Sequence, residues 1–214
     1  MGTKTSRLAT NQAPPVPDHD AVRSDPGLVS AIVRYGDQAT VDDLGRLGSA
    51  AGSQAAREHG RLANANPPVL RTHDRYGNRV DEVDFHPSWH WLMQHGVGFG
   101  LQAAPWTSTA RHPHLARAAG FYAWSQVEAG HACPLSMTYA SVPALRTDPE
   151  LFAEWTPRLA STAYDPGLRP VAAKSAVLAG MAMTERQGGS DVRSNQTVAV
   201  PTAGDGEYVL TTAR

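Results

Sequence analysis

Between Gly180 and Val192 the chain reads Gly-Met-Ala-Met-Thr-Glu-Arg-Gln-Gly-Gly-Ser-Asp-Val. This apolar run delivers a hydroxyl, a carboxylate and a tight turn within a few residues of one another. Gly188 and Gly189 carry no Cβ to keep a ligand away from backbone N–H groups, and Ser190 adds a hydroxyl donor where the chain turns. Such a loop offers anion binding, and a pyrophosphate would suit it. The same turn serves many proteins as a plain turn, so loop chemistry alone leaves both readings open.

His86 and His90 lie four residues apart, a spacing that puts two imidazoles on one helix face, and His95 follows. A zinc-protease helix needs a glutamate after the first histidine, where this chain has Pro87, and a third ligand at a suitable distance. The histidines therefore read as residues of a helix interface or its rim, and no metal site is assigned. Trp89, Trp91 and Phe99 read as core rather than as a base-stacking surface. Glu128 reads as a paired or capping carboxylate in or at the end of a helix, not as a general base. The single Cys133 forms no intrachain disulfide, in keeping with a reducing cytoplasm. Its small and apolar neighbours mark it as a buried, inert thiol, and His131, two residues away, would face elsewhere on a helix.

Composition narrows the classes. The 214 residues, 41% of them hydrophobic, suffice for one substantial core and part of a second. With 19 basic against 20 acidic residues, the net charge of −1 gives no electrostatic case for nucleic acid, anionic lipid or a polyanion. Lys4 and Lys174 are the only lysines. Residues 1–20 are polar and Pro-rich without an apolar signal core, and no run of about 18 apolar residues occurs, so a cytoplasmic protein with no membrane span is expected.

The elements that would position these groups follow from periodicity. Residues 1–25 read as a flexible tail with Pro14, Pro15 and Pro17, and order is expected to start near Asp25. Leu28, Ile32 and Tyr35, then Leu44, Leu47 and Ala51, predict two amphipathic helices. Asn64–Asp84 reads as a long irregular connection, and a helix is expected to start at Phe85-His86-Pro87. Helices follow from Pro113 to about Ala129 and over Leu135–Leu145, with Pro134 ending or restarting one, and a short element covers Leu151–Leu159. From Val177 the texture turns to β: strands are expected over Val177–Met183, Thr197–Val200 and Tyr208–Thr212, the last two joined by a turn at Ala203–Gly206. The fold class expected is α+β, an all-α helical domain over 26–175 followed by the first strands of a β-domain over 176–214.

The pattern Met-Thr-Glu-x-x-x-Gly-Ser-Asp-Val with Asn195, Thr197, Ala199 and Tyr208-Val209-Leu210 resembles the flavin-binding signature of the acyl-CoA dehydrogenases. Gly60 to Pro68, Asp84 to His90, and Gln126 to Gly130 with Cys133-Pro134 resemble the AidB-like, adaptive-response branch of that family, over about Asp25 to Leu210. The resemblance implies FAD as cofactor, an acyl-CoA or related thioester as substrate, and a homo-oligomer in the complete family fold. It further implies α,β-dehydrogenation, with hydride passing to flavin N5. Met181 and Met183 would lie against the flavin, with the Met183 backbone and the Thr184 hydroxyl at its pyrimidine edge. Gly189 would admit the pyrophosphate, and Ser190 would donate to it. Glu185 matches a structural position that ties the loop to nearby backbone or an arginine.

No catalytic residue is carried over. The family continues beyond Leu210 with a Gly-x-Lys-aromatic strand, whereas this sequence reads Thr212-Ala213-Arg214, so the resemblance implies an N-terminal portion that lacks the carboxylate base. The family's nucleic-acid contacts are attributed to C-terminal regions. The alternatives are a non-enzymatic truncated product or a helical interaction module, with a nucleic-acid-associated protein last on charge.

Overall fold

The computed structural model describes residues 13–187, 189–204 and 206–211. Residues 1–12, Gly188, Asp205 and Thr212 lie outside the described residues; they carry part of the expected tail, the first glycine of the turn, the centre of the hairpin turn and the end of the last strand. The chain divides into two compact units, Met1–Ala179 and Gly180–Arg214. The first is helix-rich with one small sheet; among the described residues the second holds a two-stranded sheet and a single 3-10 turn, Val192–Ser194. This is the α+β arrangement expected.

Unit 1 opens with α1 (Pro26–Tyr35), α2 (Gln38–Asp43), α3 (Gly45–Ala51) and α4 (Gln54–Ala65), four helices where periodicity predicted two. Each start with a side-chain cap is marked in the sequence. Asp25 accepts from Leu28 N–H, Asp37 from Thr40 N–H and Ser53 from Ala56 N–H, satisfying donors that a helix N-terminus leaves unpaired. Helix α4 escaped periodicity because its buried positions are Ala56, Gly60 and Ala63, residues too small to print a hydrophobic stripe. Fixed packing also begins before Asp25. His19 N–H bonds to the Gly52 carbonyl, Ala21 N–H to that of Gly48, and Val22 is fully buried. The apolar side chain inserts under α3, and Asp20 turns the chain by accepting from Val22 and Arg23 N–H.

The expected irregular connection is instead an antiparallel hairpin, β1 (Val69–His73) with β2 (Arg79–Asp84), in the register Val69↔Asp84, Leu70↔Val83 and Arg71↔Glu82. Asp74 closes it, its carboxylate accepting from Tyr76 and Asn78 N–H and from the Asn78 side chain. Helix α5 (Pro87–Gly98) starts where expected, with the His86 ring nitrogen accepting from Ser88 N–H. Helix α6 (Pro113–Ser125) stops short of Ala129 because residues 126–131 turn to start α7 (Ala132–Leu145). Pro134 lies in the first turn of α7, where its missing N–H costs no helical bond, so it neither ends nor restarts the helix. Asp148 caps α8 (Pro149–Leu159). Cys133, expected buried, is exposed: the first turn of α7 directs Ala132 inward and the thiol to the surface.

One core gathers Ile32, Leu47, Leu92, Met93, Trp124 and Leu135; a second, smaller one joins Ala103, Val142 and Leu159 with Trp106, Phe152 and Trp155 packed against it. Trp89, Trp91 and Phe99 pack on the first core, as expected. No helix among the described residues is long and apolar enough to cross a membrane.

The expected strand over Val177–Met183, which spans the boundary between the units, is absent. The segment has β-like composition but pairs with no strand among the described residues, and pairing is what makes a strand. β3 (Val198–Pro201) and β4 (Tyr208–Thr211) form an antiparallel pair, with Val198 opposite Thr211 and Pro201 opposite Tyr208.

Candidate functional site

The residues singled out for ligand chemistry lie together at the start of unit 2. Met181 and Met183 lie outside any helix or strand, 53% and 51% exposed, and Thr184, Gly189 and Ser190 are exposed on the loop that follows. Around Gly180 and Gly189 a Cβ would meet nothing within 4 Å. Neither the packing nor a left-handed backbone in this structure therefore requires glycine at 189, and open space lies in front of its backbone.

Glu185 organises the loop. Its carboxylate accepts from Gln196 N–H at 2.9 Å, from Thr197 N–H at 2.6 Å, from the Thr197 hydroxyl and from the Gln187 amide. These donors, the Gln196 N–H foremost, hold its pKa down to about 2, so the group is ionised at any neutral pH. Asn195 adds a second tie, its side-chain N–H donating to the Met183 carbonyl at 2.7 Å. Asp191 accepts from Arg193 N–H and turns the chain between the two anchors. Glu185 thus holds backbone, as its family position implied, while Asn195 and Thr197, read from sequence only as parts of a pattern, are the residues that close the loop. Among the described residues the Asn195 side-chain oxygen is buried without a partner.

In unit 1 the motif runs outside this loop meet one another as packing. The Gly60 Cα faces the Val127 carbonyl so closely that a Cβ would lie 2.4 Å from the oxygen, which fits α4 against the 126–131 turn. His59 shares a hydrogen bond with the Ser88 hydroxyl and stacks on Trp91, ring centroids 4.2 Å apart. Glu128 accepts from Gly130 N–H, His131 N–H and the His131 ring; it is the paired carboxylate expected, but it lies in the turn between α6 and α7 rather than in or at the end of a helix. Burial is the largest influence on Glu128 and raises its pKa, but these hydrogen bonds together outweigh it and leave the carboxyl below its ordinary value. His131 is fully buried, and desolvation lowers its pKa against the opposing pull of Glu128. His86, His90 and His95 diverge: His86 caps α5, His90 bonds to the Tyr164 hydroxyl at 2.7 Å, and His95 to the Trp91 carbonyl. Among the described residues no group of three His, Cys, Asp or Glu could hold a metal.

Comparison with known proteins gives the architecture its class. The chain superposes on two solved structures: Bd2924 in its apo form (TM-score 0.74, 27% identity, 94% of this chain and 40% of that one) and Caenorhabditis elegans ACDH-11 in complex with C11-CoA (TM-score 0.77, 24% identity, 97% and 35%). The helical unit therefore has the fold of the N-terminal domain of acyl-CoA dehydrogenases. More narrowly, residues 11–166 match the family described as the adaptive response protein AidB N-terminal domain, and the chain belongs to that family. It is 43% identical over 202 residues to the Escherichia coli (strain K12) protein named putative acyl-CoA dehydrogenase AidB, covering 94% of this chain and 37% of that one. It is 32% identical over 154 residues to acyl-CoA dehydrogenase family member 11 of C. elegans, covering 70% and 24%. The chain thus spans well under half the length of the curated relatives it matches.

Proposed function

We propose that this chain supplies the N-terminal helical domain, residues 26–175, and the first flavin-facing segment, residues 176–214, of an AidB-like, FAD-dependent acyl-CoA dehydrogenase acting in the cytoplasm. The observation that carries this reading is the loop from Met181 to Thr197. Glu185 and Asn195 clamp it from behind, while Met181, Met183, Thr184, Gly189 and Ser190 stay exposed with open space at both glycines. A loop fixed by its own acceptors is pre-organised for a ligand, since little ordering remains to be done on binding. Its residues suit a flavin: soft thioethers for the ring, a threonine hydroxyl for a polar ring edge, and a glycine followed by a serine hydroxyl for a pyrophosphate.

Bound FAD would supply a hydride acceptor at N5 for the α,β-dehydrogenation of an acyl-CoA thioester; the C. elegans structure named above holds C11-CoA. Thr184 would donate to the polar edge of the cofactor, Ser190 to its phosphates, and Met181 and Met183 would exclude water from one ring face. No residue of this chain is assigned as the base. Glu185 and Glu128 are both committed to backbone N–H groups, and a carboxylate saturated with donors is a poor proton acceptor. The base, and the remaining cofactor contacts, would come from the rest of the complete fold, so residues 1–214 by themselves are expected to bind FAD weakly and to turn over no acyl-CoA.

The test is a protein extended by the segments that complete the fold. It should purify with a flavin absorption band, and T184A/S190A should weaken retention, each lost hydrogen bond costing about 0.5–1.5 kcal/mol. An extended protein that stays colourless after incubation with FAD would overturn the flavin assignment.

A further inference from the structure

Asn195 has only half of its amide in use. The side-chain N–H donates to the Met183 carbonyl at 2.7 Å, while among the described residues the side-chain oxygen is buried with no partner. Reversing the amide would set oxygen against oxygen and lose the one bond that it makes. A buried acceptor without a donor opposes folding, so stability is a poor reason for an asparagine here, and a leucine of similar size would bring no such orphan.

What the bond fixes is a direction. Among the described residues every peptide is trans, and a planar trans peptide points its C=O and its N–H to opposite sides of the chain. With the Met183 carbonyl turned to Asn195, the Thr184 N–H of the same peptide is turned away from it. Neither that N–H nor the Thr184 hydroxyl has a partner among the described residues, and Thr184 is exposed. The next residue, Glu185, is held by Gln196 and Thr197, so Thr184 lies between two fixed points. It thereby carries two donors whose backbone is already set. Donors fixed in advance favour an acceptor whose negative charge grows during reaction, and reduction of a flavin adds negative charge to the pyrimidine edge of its ring.

We propose that Asn195 is a positioning residue: by holding the Met183 carbonyl it aims the Thr184 N–H at the polar edge of the flavin and raises the reduction potential of the bound cofactor. The inference rests on the flavin reading given above.

One arm of the test needs no flavin. In the 214-residue chain Asn195→Leu should move the Met183 carbonyl-carbon resonance upfield, the direction expected when a carbonyl loses a hydrogen bond, while amides between Leu92 and Leu145 keep their shifts. A Met183 carbonyl that stays in place would overturn the proposal whatever the cofactor. The second arm uses the protein extended to complete the fold, loaded with FAD, and reads the two-electron reduction potential at full occupancy. A substitution that merely loosens the loop weakens both oxidation states alike and leaves the potential where it was, because a potential reports only the difference between two affinities. Asn195→Leu should disfavour the reduced form about tenfold relative to the oxidised one, a potential lower by about 30 mV. Asn195→Ala, which removes the donor without new bulk, should shift it in the same direction. Potentials equal to the native one in both variants would overturn the proposal and leave the flavin reading standing, whereas an extended protein that takes up no FAD would overturn both.

Discussion

The two compact units hold themselves together by different means. In unit 1 the groups that matter are out of water: Trp124, Leu92, Met93 and Leu135 are fully buried, and even the Glu128–His131 pair sits beneath the surface. In unit 2 the apolar residues of the hairpin stay exposed, Leu210 at 71%, and the bonds that order the preceding loop converge on the half-buried Glu185. The first unit is defined by packing and should answer to volume. The second is defined by a polar clamp and should answer to charge and acidity. A lone two-stranded pairing is marginal in water, so the second unit is also expected to open far more readily.

That contrast can be broken at its strongest point by Trp124→Ala. Removing a fully buried indole from the centre of the larger core should cost about 3–5 kcal/mol, seen as a lower urea midpoint of the helical unit. A change under about 1 kcal/mol would mean that the core is not packed as described. Gly60→Ala should cost less, about 1–3 kcal/mol, because its new methyl must push the Val127 carbonyl away. Restoring stability to that variant by any substitution on the far face of α4 would argue against the close approach as the cause.

Acidity separates the units next. His131 is held below its ordinary 6.5 in the folded protein by burial, so on acidification the unfolded chain takes up a proton before the folded one does. Stability of unit 1 should therefore be complete above about pH 6.5 and fall as the pH drops below it, and His131→Gln should flatten the slope between pH 7.5 and 5.5. Glu128, lowered in the fold, would contribute its own loss only as the pH passes below about 4.5. A native protein whose urea midpoint is flat across that upper interval would contradict the buried, neutral histidine.

The smallest effect expected on global stability, and the most local, is that of Glu185→Gln. Its folded-state pKa of about 2 means that the clamp is fully present above the ordinary carboxylate value of 4.5 and fades as the pH falls toward 2. Exchange of the Gln196 and Thr197 amides should speed up in E185Q while amides between Leu92 and Leu145 keep their protection. In the native chain those helical amides should already outlast the ones from Thr197 to Thr211. Equal protection in both regions would remove the distinction between the units.

Where side chains announce themselves, the fold was legible in the sequence: Pro87 and Pro113 at helix starts, and the β-like Val198–Pro201 and Tyr208–Thr211. It was illegible where the signal is a small residue or a turn. Helix α4 turns Ala56, Gly60 and Ala63 inward, and no scale of hydrophobicity marks those positions strongly. The β1–β2 hairpin is nearly all exposed, so neither strand alternates between apolar and polar, and its register shifts between Arg71 and His73. Val177–Met183 misled for the opposite reason, having strand composition without a partner. At the candidate site the pattern names Met181, Met183, Thr184, Gly189 and Ser190, and the structure leaves all five exposed. That Glu185 ties the loop to backbone was implied as well, but its partners were not, because Gln196 and Thr197 lie eleven and twelve positions further along the chain.

All five tryptophans, residues 89, 91, 106, 124 and 155, lie in unit 1, and the indoles of Trp91 and Trp124 pack against the imidazole of His95 with ring centroids 3.8 and 5.8 Å away. Intrinsic tryptophan emission from this chain is therefore a spectroscopic signal of the helical unit alone. It will report melting of the core and the protonation of His131, whose ring lies edge-on to the indole of Trp124 at 6.0 Å.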